Sequence, residues 1–178
     1  MVIGGGIAGM ETAACLAEKG VKVTLFEKNE KVGGNVANWH SLFPTIRQST
    51  EIIQHLEKRL KDSSVTVITN TLVSNISKEG SMITVKGGDA RLSTDAVVLA
   101  SGFQIFDSKR KEEFGYGIYD NVITSSDLEA MMKKDQPITT KSGKPINRVA
   151  FIHCVGSRDE KVGNHYCSKI CCVTGVKQ

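Results

Sequence analysis

Four of the chain's five cysteines, Cys154, Cys167, Cys171 and Cys172, fall within nineteen residues near the C-terminal end of a 178-residue sequence. Twelve residues separate the first two, three separate the next two, and the last two are adjacent. Four soft thiolates are a full ligand set for a cubane iron–sulfur cluster or a closed zinc site. The spacing is that of neither bacterial nor plant ferredoxins nor common zinc fingers, so it leaves the metal open. Cys167 and Cys171, one helical turn apart, would also suit a redox disulfide. Unligated cysteines packed between a helix and a strand are the remaining reading. Cys15 stands apart and is expected to pack against a sheet.

The other end of the chain points to a nucleotide. Gly4-x-Gly6-x-x-Gly9, with Ile7 and Ala8 between the last two glycines, lies between an apolar strand and a helix. Such glycines permit a tight turn, backbone approach to a pyrophosphate and close helix–sheet packing. The helix N-terminus then offers free N–H groups to the phosphates. Glu27, eighteen residues beyond Gly9 and followed by Lys28, ends the next strand. A carboxylate there can accept both ribose hydroxyls. Gly33, Gly34 and Asn35 resemble the second glycine pair of two-dinucleotide flavoproteins. Ala100-Ser101-Gly102, after an apolar strand, resembles their Ala-Thr-Gly element with serine for threonine. The three elements in order favour FAD over NAD.

These groups need elements to hold them. Residues 1–3, 21–27, 65–69 and 96–100 read as strands, and residues 7–19 and 50–62 as helices, the first capped by Gly20. Residues 72–76, 82–86 and 91–93 read as an antiparallel meander. Residues 127–134 form a short helix, 137–145 a polar linker and 149–155 a strand, with a helix expected through the cysteines that follow. Cys171 and Cys172 would diverge by ~100° on that helix, so both reach one cluster only at its end or where it is distorted. The expectation is an α/β chain with a Rossmann-like, three-layer dinucleotide fold and a small meander. Residues 1–107 form its FAD-binding half, 108–147 a connection, and 148–178 the start of a second nucleotide-binding-type lobe carrying the cysteines.

Composition narrows the function classes. With 40% hydrophobic and 24% charged residues the chain can bury a core, and a net charge of +4 is too mild to argue for nucleic acid. No apolar run approaches the ~20 residues of a membrane span. An odd cysteine count without an export signal points to a reducing compartment, the cytoplasm. His40, His55 and His165 lack metal spacing. His153, beside Cys154, is expected in the core or behind a ligand. Trp39 and Phe43 could face a flavin ring or pack in a core.

The stretch ASGFQIFDSKRKEEFGYGIYDNVITSSDLEAMM from Ala100, then KPINRVAFIHCVGSRDE, then YCSKICCVTGVKQ, resembles the flavin-carrying A-type chain of the heterodisulfide reductase family. The resemblance covers essentially the whole chain. It implies a thioredoxin-reductase-like FAD module in which the residues matching Cys154, Cys167, Cys171 and Cys172 hold a [4Fe–4S] cluster. It also implies an electron relay to partner subunits, with ferredoxin or hydrogenase-type donors; separately, no side chain here is expected to act as a covalent nucleophile. Pyridine nucleotide-disulfide chemistry at a redox cysteine pair, or a zinc-stiffened nucleotide-binding assembly module, are the alternatives. Two departures stand out. No cysteines follow Phe43-Pro44-Thr45, where some members have them, and the sequence stops just inside the second lobe. It therefore reads as a fragment, expected to hold FAD poorly.

Overall fold

A computed structural model describes residues 1–134, 137–140 and 142–178. It divides into two units, residues 1–37 with 49–103, and residues 38–48 with 104–178.

The first unit has the α/β fold expected from the sequence, though residues 38–48 belong to the other unit. Strands β1 (Val2–Ile3), β2 (Thr24–Phe26), β5 (Thr66–Ile68) and β9 (Val98–Leu99) form a parallel sheet in the order β5-β2-β1-β9. Val2 lies between Leu25 and Val98 in register. Helix α1 (Ile7–Glu18) packs on β1 and β2, and α2 (Ser49–Asp62) packs on α1. Val2, Met10, Ala13, Ala14, Val23, Leu25, Leu56 and Leu60 make the core. Small side chains at Ala13 and Ala14 let α1 lie close to the strands. Burying such apolar surface stabilises by roughly 25 cal/mol per Å2. Strands β6 (Val73–Glu79), β7 (Met82–Gly87) and β8 (Ala90–Thr94) form the antiparallel meander.

Two strands are shorter than their apolar runs predict. Val21 is half exposed and its N–H donates to the Leu16 carbonyl, so the chain is still finishing the turn out of α1 there, and the first inter-strand bond is from Thr66 N–H to the Val23 carbonyl. At β9, Val98 and Leu99 are exposed although the run is fully apolar. Only the β1 side of this strand has a partner among the described residues.

Cys15 does not face the sheet. Its thiol donates to Glu11 at 3.0 Å and accepts from Arg59 at 3.3 Å, on the side where α2 meets α1. The Arg59 guanidinium also binds the Glu11 and Glu18 carboxylates, clasping the two helices.

The second unit is mostly loop. It contains a short hairpin, β3 (Ser41–Leu42) with β4 (Arg47–Gln48), helix α3 (Ser125–Lys133) and helix α4 (Cys171–Lys177). Helix α3 begins two residues earlier than expected because Thr124 and Asp127 cap it reciprocally. The polar linker closes as a turn in which Thr139 pairs with Pro145; Lys141, within it, lies outside the described residues. Trp39 is half-buried and Phe43 exposed.

The strand expected at residues 149–155 is absent. Cys154 takes a φ of +62°, in the left-handed region that ends extended backbone. The helix expected through all three later cysteines starts only at Cys171, after Lys169 at φ +57°. Cys167 therefore lies in the loop before it.

Candidate functional site

In the first unit the fingerprint glycines, the second glycine pair and the third element meet. Gly4 has a φ of +106°, and a Cβ there would fall 2.3 Å from the Ala100 carbonyl oxygen. At Gly9 a Cβ would fall 1.8 Å from the Gly4 oxygen, so α1 can follow the turn this closely only with glycine. The Gly33 N–H donates to the Gly5 carbonyl at 2.7 Å, which lays Gly34 against Gly6. The Ala100 N–H donates to Ile3 at 2.8 Å, bringing Ala100, Ser101 and Gly102 to the same edge. Asn35 reaches the Phe103 carbonyl through its side-chain amide at 3.1 Å. Ile7 and Ala8 open α1.

Glu27 is 5% exposed at the end of β2. One carboxylate oxygen accepts from the Gly5 N–H at 2.7 Å and the other from Asn29 N–H at 2.8 Å. Gly5, which the fingerprint spacing passes over, is thus the residue that aims this carboxylate. Each oxygen keeps a lone pair for a further donor. Lys28 is exposed. A backbone turn with no side-chain obstruction beside an oriented carboxylate suits a dinucleotide.

The cysteine site is built within the second unit. The Ser157 N–H donates to Cys154 O at 3.1 Å, closing the turn that begins at the left-handed Cys154. The Ser157 hydroxyl then donates to Tyr166 O at 2.7 Å and accepts from Ser168 N–H at 3.0 Å. One buried serine therefore returns the chain to Cys154 at the level of Cys167. The loop between is closed by Asp159 pairing with Asn164. It is tied down by the buried Lys111, whose ammonium lies 2.7 Å from both Asp159 and Glu113.

Helix α4 is positioned from its far end. Lys177 pairs with Glu129 of α3 and donates to Ser41 O at 2.8 Å, while Gln178 donates to Ser125 O and to Glu129. Cys171 and Cys172 are the first two residues of α4, so both can turn toward one centre. The Cys171 and Cys172 sulfurs and an imidazole nitrogen of His153 all lie within 4.8 Å of one another. His153 is exposed beside these thiols rather than in a core. Cys154 makes hydrogen bonds to Cys171 through both its backbone N–H and its thiol. Cys167 is exposed in the loop before α4, where its sulfur accepts from Lys169 N–H at 3.4 Å.

The two adjacent thiols are driven apart in acidity. The Cys154 N–H holds Cys171 below the ordinary thiol range against a smaller desolvation effect, with help from Ser168. Cys172 is pushed up, first by its hydrogen bond to Cys171 and then by the charge on it. Cys171 is thus the first thiolate to form, and a cation would remove the penalty on the second. The donor set fits either a cluster or a single soft cation.

Residues 1–129 match the pyridine nucleotide-disulphide oxidoreductase family. The chain belongs to that family. It is 27% identical over 99% of its length to the A subunit of the Ferredoxin/F(420)H(2)-dependent CoB-CoM heterodisulfide reductase of Methanosarcina acetivorans. It is 29% identical over 99% to the iron-sulfur A subunit of the CoB--CoM heterodisulfide reductase of Methanocaldococcus jannaschii. The resemblance to the A subunits of heterodisulfide reductases therefore extends over essentially the whole chain. The chain spans 33% and 40% of the lengths of these two relatives. The thioredoxin reductase of Lactococcus lactis shares the fold, with a TM-score of 0.54 at 23% identity over 60% of this chain and 36% of that one. No helix among the described residues is long and apolar enough to cross a membrane.

Proposed function

We propose that this chain is an FAD- and cluster-bearing part of a heterodisulfide-reductase-type oxidoreductase, relaying electrons between flavin, a [4Fe–4S] cluster and partner subunits in the cytoplasm. The observation that carries the reading is the meeting of Cys154, Cys171 and Cys172 in a chain that also folds an oriented dinucleotide turn. Gly4, Gly6, Ile7, Ala8 and Gly9 would receive the pyrophosphate, with Glu27 and Lys28 at the adenosine ribose. Gly33, Gly34, Asn35, Ala100, Ser101 and Gly102 would border the flavin-ward side. Cys154, Cys167, Cys171 and Cys172 would hold the cluster, Cys167 swinging in from its exposed loop. When bound, flavin supplies two-electron chemistry and the cluster one-electron transfer. The side chains here bind and orient rather than attack substrate. Residues 1–107, 108–147 and 148–178 are the functional divisions on this reading. The name of the Methanosarcina acetivorans relative supports ferredoxin as an exchange partner.

Anaerobic purification followed by absorption and electron paramagnetic resonance spectroscopy tests the reading. Flavin bands, a broad cluster shoulder and a paramagnetic signal on reduction are expected. A colourless protein that takes up neither FAD nor iron and sulfide on reconstitution would overturn it.

A further inference from the structure

The cysteine segment contains a nitrogen donor that the cluster reading does not use. His153 directly precedes the left-handed Cys154, which turns the backbone so that imidazole and later thiols face one another. Phe151 stacks parallel to the imidazole, with ring centroids 6.3 Å apart and planes at 12°. Gly175 of α4 lies against both rings, within 3.6 Å of Phe151 Cδ1 as measured from a Cβ built at that glycine. A Cβ at that position would fall 2.7 Å from the imidazole Cε1. The imidazole is solvent-exposed, and the backbone of α4 abuts its Cε1 edge, which sets its place relative to Cys171 and Cys172.

The spacing of the three donors favours one ion. Bonds of ~2.0–2.1 Å to nitrogen and ~2.3 Å to sulfur in tetrahedral geometry put ligand atoms somewhat under ~4 Å apart. The observed spread, within 4.8 Å, needs only a small contraction. A cubane, whose irons stand apart, requires its thiolates spread more widely. Two thiolates and a neutral imidazole also balance a divalent charge.

We propose that, in the cluster-free chain, His153, Cys171 and Cys172 form a mononuclear site for zinc(II), with the fourth position left to solvent. Binding releases the thiol protons of Cys171 and Cys172 and forms one Zn–N and two Zn–S bonds, with no change of oxidation state. The site shares two cysteines with the proposed cluster but stands on a different donor, so the two assignments can fail separately.

Cobalt(II) is a suitable probe, added anaerobically to the full chain stripped of metal and reduced, followed by zinc competition. One cobalt per chain is expected, with tetrahedral d–d bands and thiolate-to-cobalt charge transfer that zinc abolishes. His153→Ala should weaken binding at least tenfold and alter the d–d envelope, and Gly175→Ala should weaken it by displacing the ring. Cys167→Ser should leave cobalt affinity unchanged, although it should abolish cluster assembly from iron and sulfide. Circular dichroism of each variant verifies folding. Unchanged affinity and spectrum in folded His153→Ala would overturn the proposal, as would a loss in Cys167→Ser as large as that in Cys171→Ser. Cluster assembly, followed in the same variants by its paramagnetic signal, reports on the cluster reading independently.

Discussion

At Gly9 the fold depends on the absence of a single carbon. A methyl group there would overlap the Gly4 carbonyl oxygen, which is backbone and cannot swing aside. Gly9→Ala should therefore push α1 off the sheet and cost ~3 kcal/mol or more, at the top of the overpacking range. Thermal unfolding of the variant beside the parent measures this, and a shift within error would remove the close-packing argument. Glu27 carries a different burden. Its carboxylate is already engaged by the Gly5 and Asn29 N–H groups, so its orientation exists before any ligand arrives. Glu27→Ala should lower FAD affinity by ~1.5–3 kcal/mol, the value of hydrogen bonds to a charged group. Flavin fluorescence titration reads it, and unaltered affinity would place the ribose elsewhere.

Helix α4 brings two cysteines to its start, and what holds that helix is a buried ion pair at its end. Lys177 and Glu129 are 7% and 4% exposed at their side chains. Burial pushes the Glu129 pKa up, but Lys177, the His40 N–H and Gln178 together hold it below the ordinary glutamate range. A depressed carboxyl contributes stability that is present above the unfolded value of ~4.3 and disappears as pH falls through the lower folded value. The second unit should thus lose stability in that acid window. Removing the partner with Lys177→Met leaves a buried carboxylate uncompensated, at about 3 kcal/mol near neutral pH. In that variant burial dominates and Glu129 titrates upward, so acidification should narrow the gap to the parent. Denaturant unfolding across pH is the measurement. A constant difference between the two proteins would show that the pair does not anchor α4.

For the whole molecule, the dinucleotide turn and the cysteines belong to different units of the chain. Iron chelation of a protein loaded with both groups should therefore bleach the cluster absorption and leave the flavin bands in place. Simultaneous loss of both on a desalting column would contradict their assignment to separate units. The match covers only 33% and 40% of the two relatives, so the relay is a property to be tested alongside partner subunits.

The glycine turn, the acidic residue after β2, the meander and the parallel sheet were all legible in sequence because each rests on local rules. Gly-x-Gly-x-x-Gly can be recognised by spacing, strands by β-branched runs, and α2 by its apolar face, where Leu56 and Leu60 are buried as periodicity predicts. The cysteines were legible as a set of donors. Their arrangement was not, because it follows from left-handed residues at Cys154 and Lys169 that carry no glycine to announce them. Residues 149–153 find no pairing strand among the described residues, Cys154 turns the chain at their end, and Lys169 shortens the expected helix. The turn they make is held by Ser157, Lys111 and Lys177, whose partners lie as far as 136 residues away in the chain. The same distance hid His153: adjacency to Cys154 marked it, but only folding α4 back over residues 151–153 places its ring beside Cys171 and Cys172. Residue type and spacing thus determined which chemistry the chain can support. Tertiary packing decided which donors meet, since a long-range contact depends on where the intervening backbone turns and no local pattern encodes that.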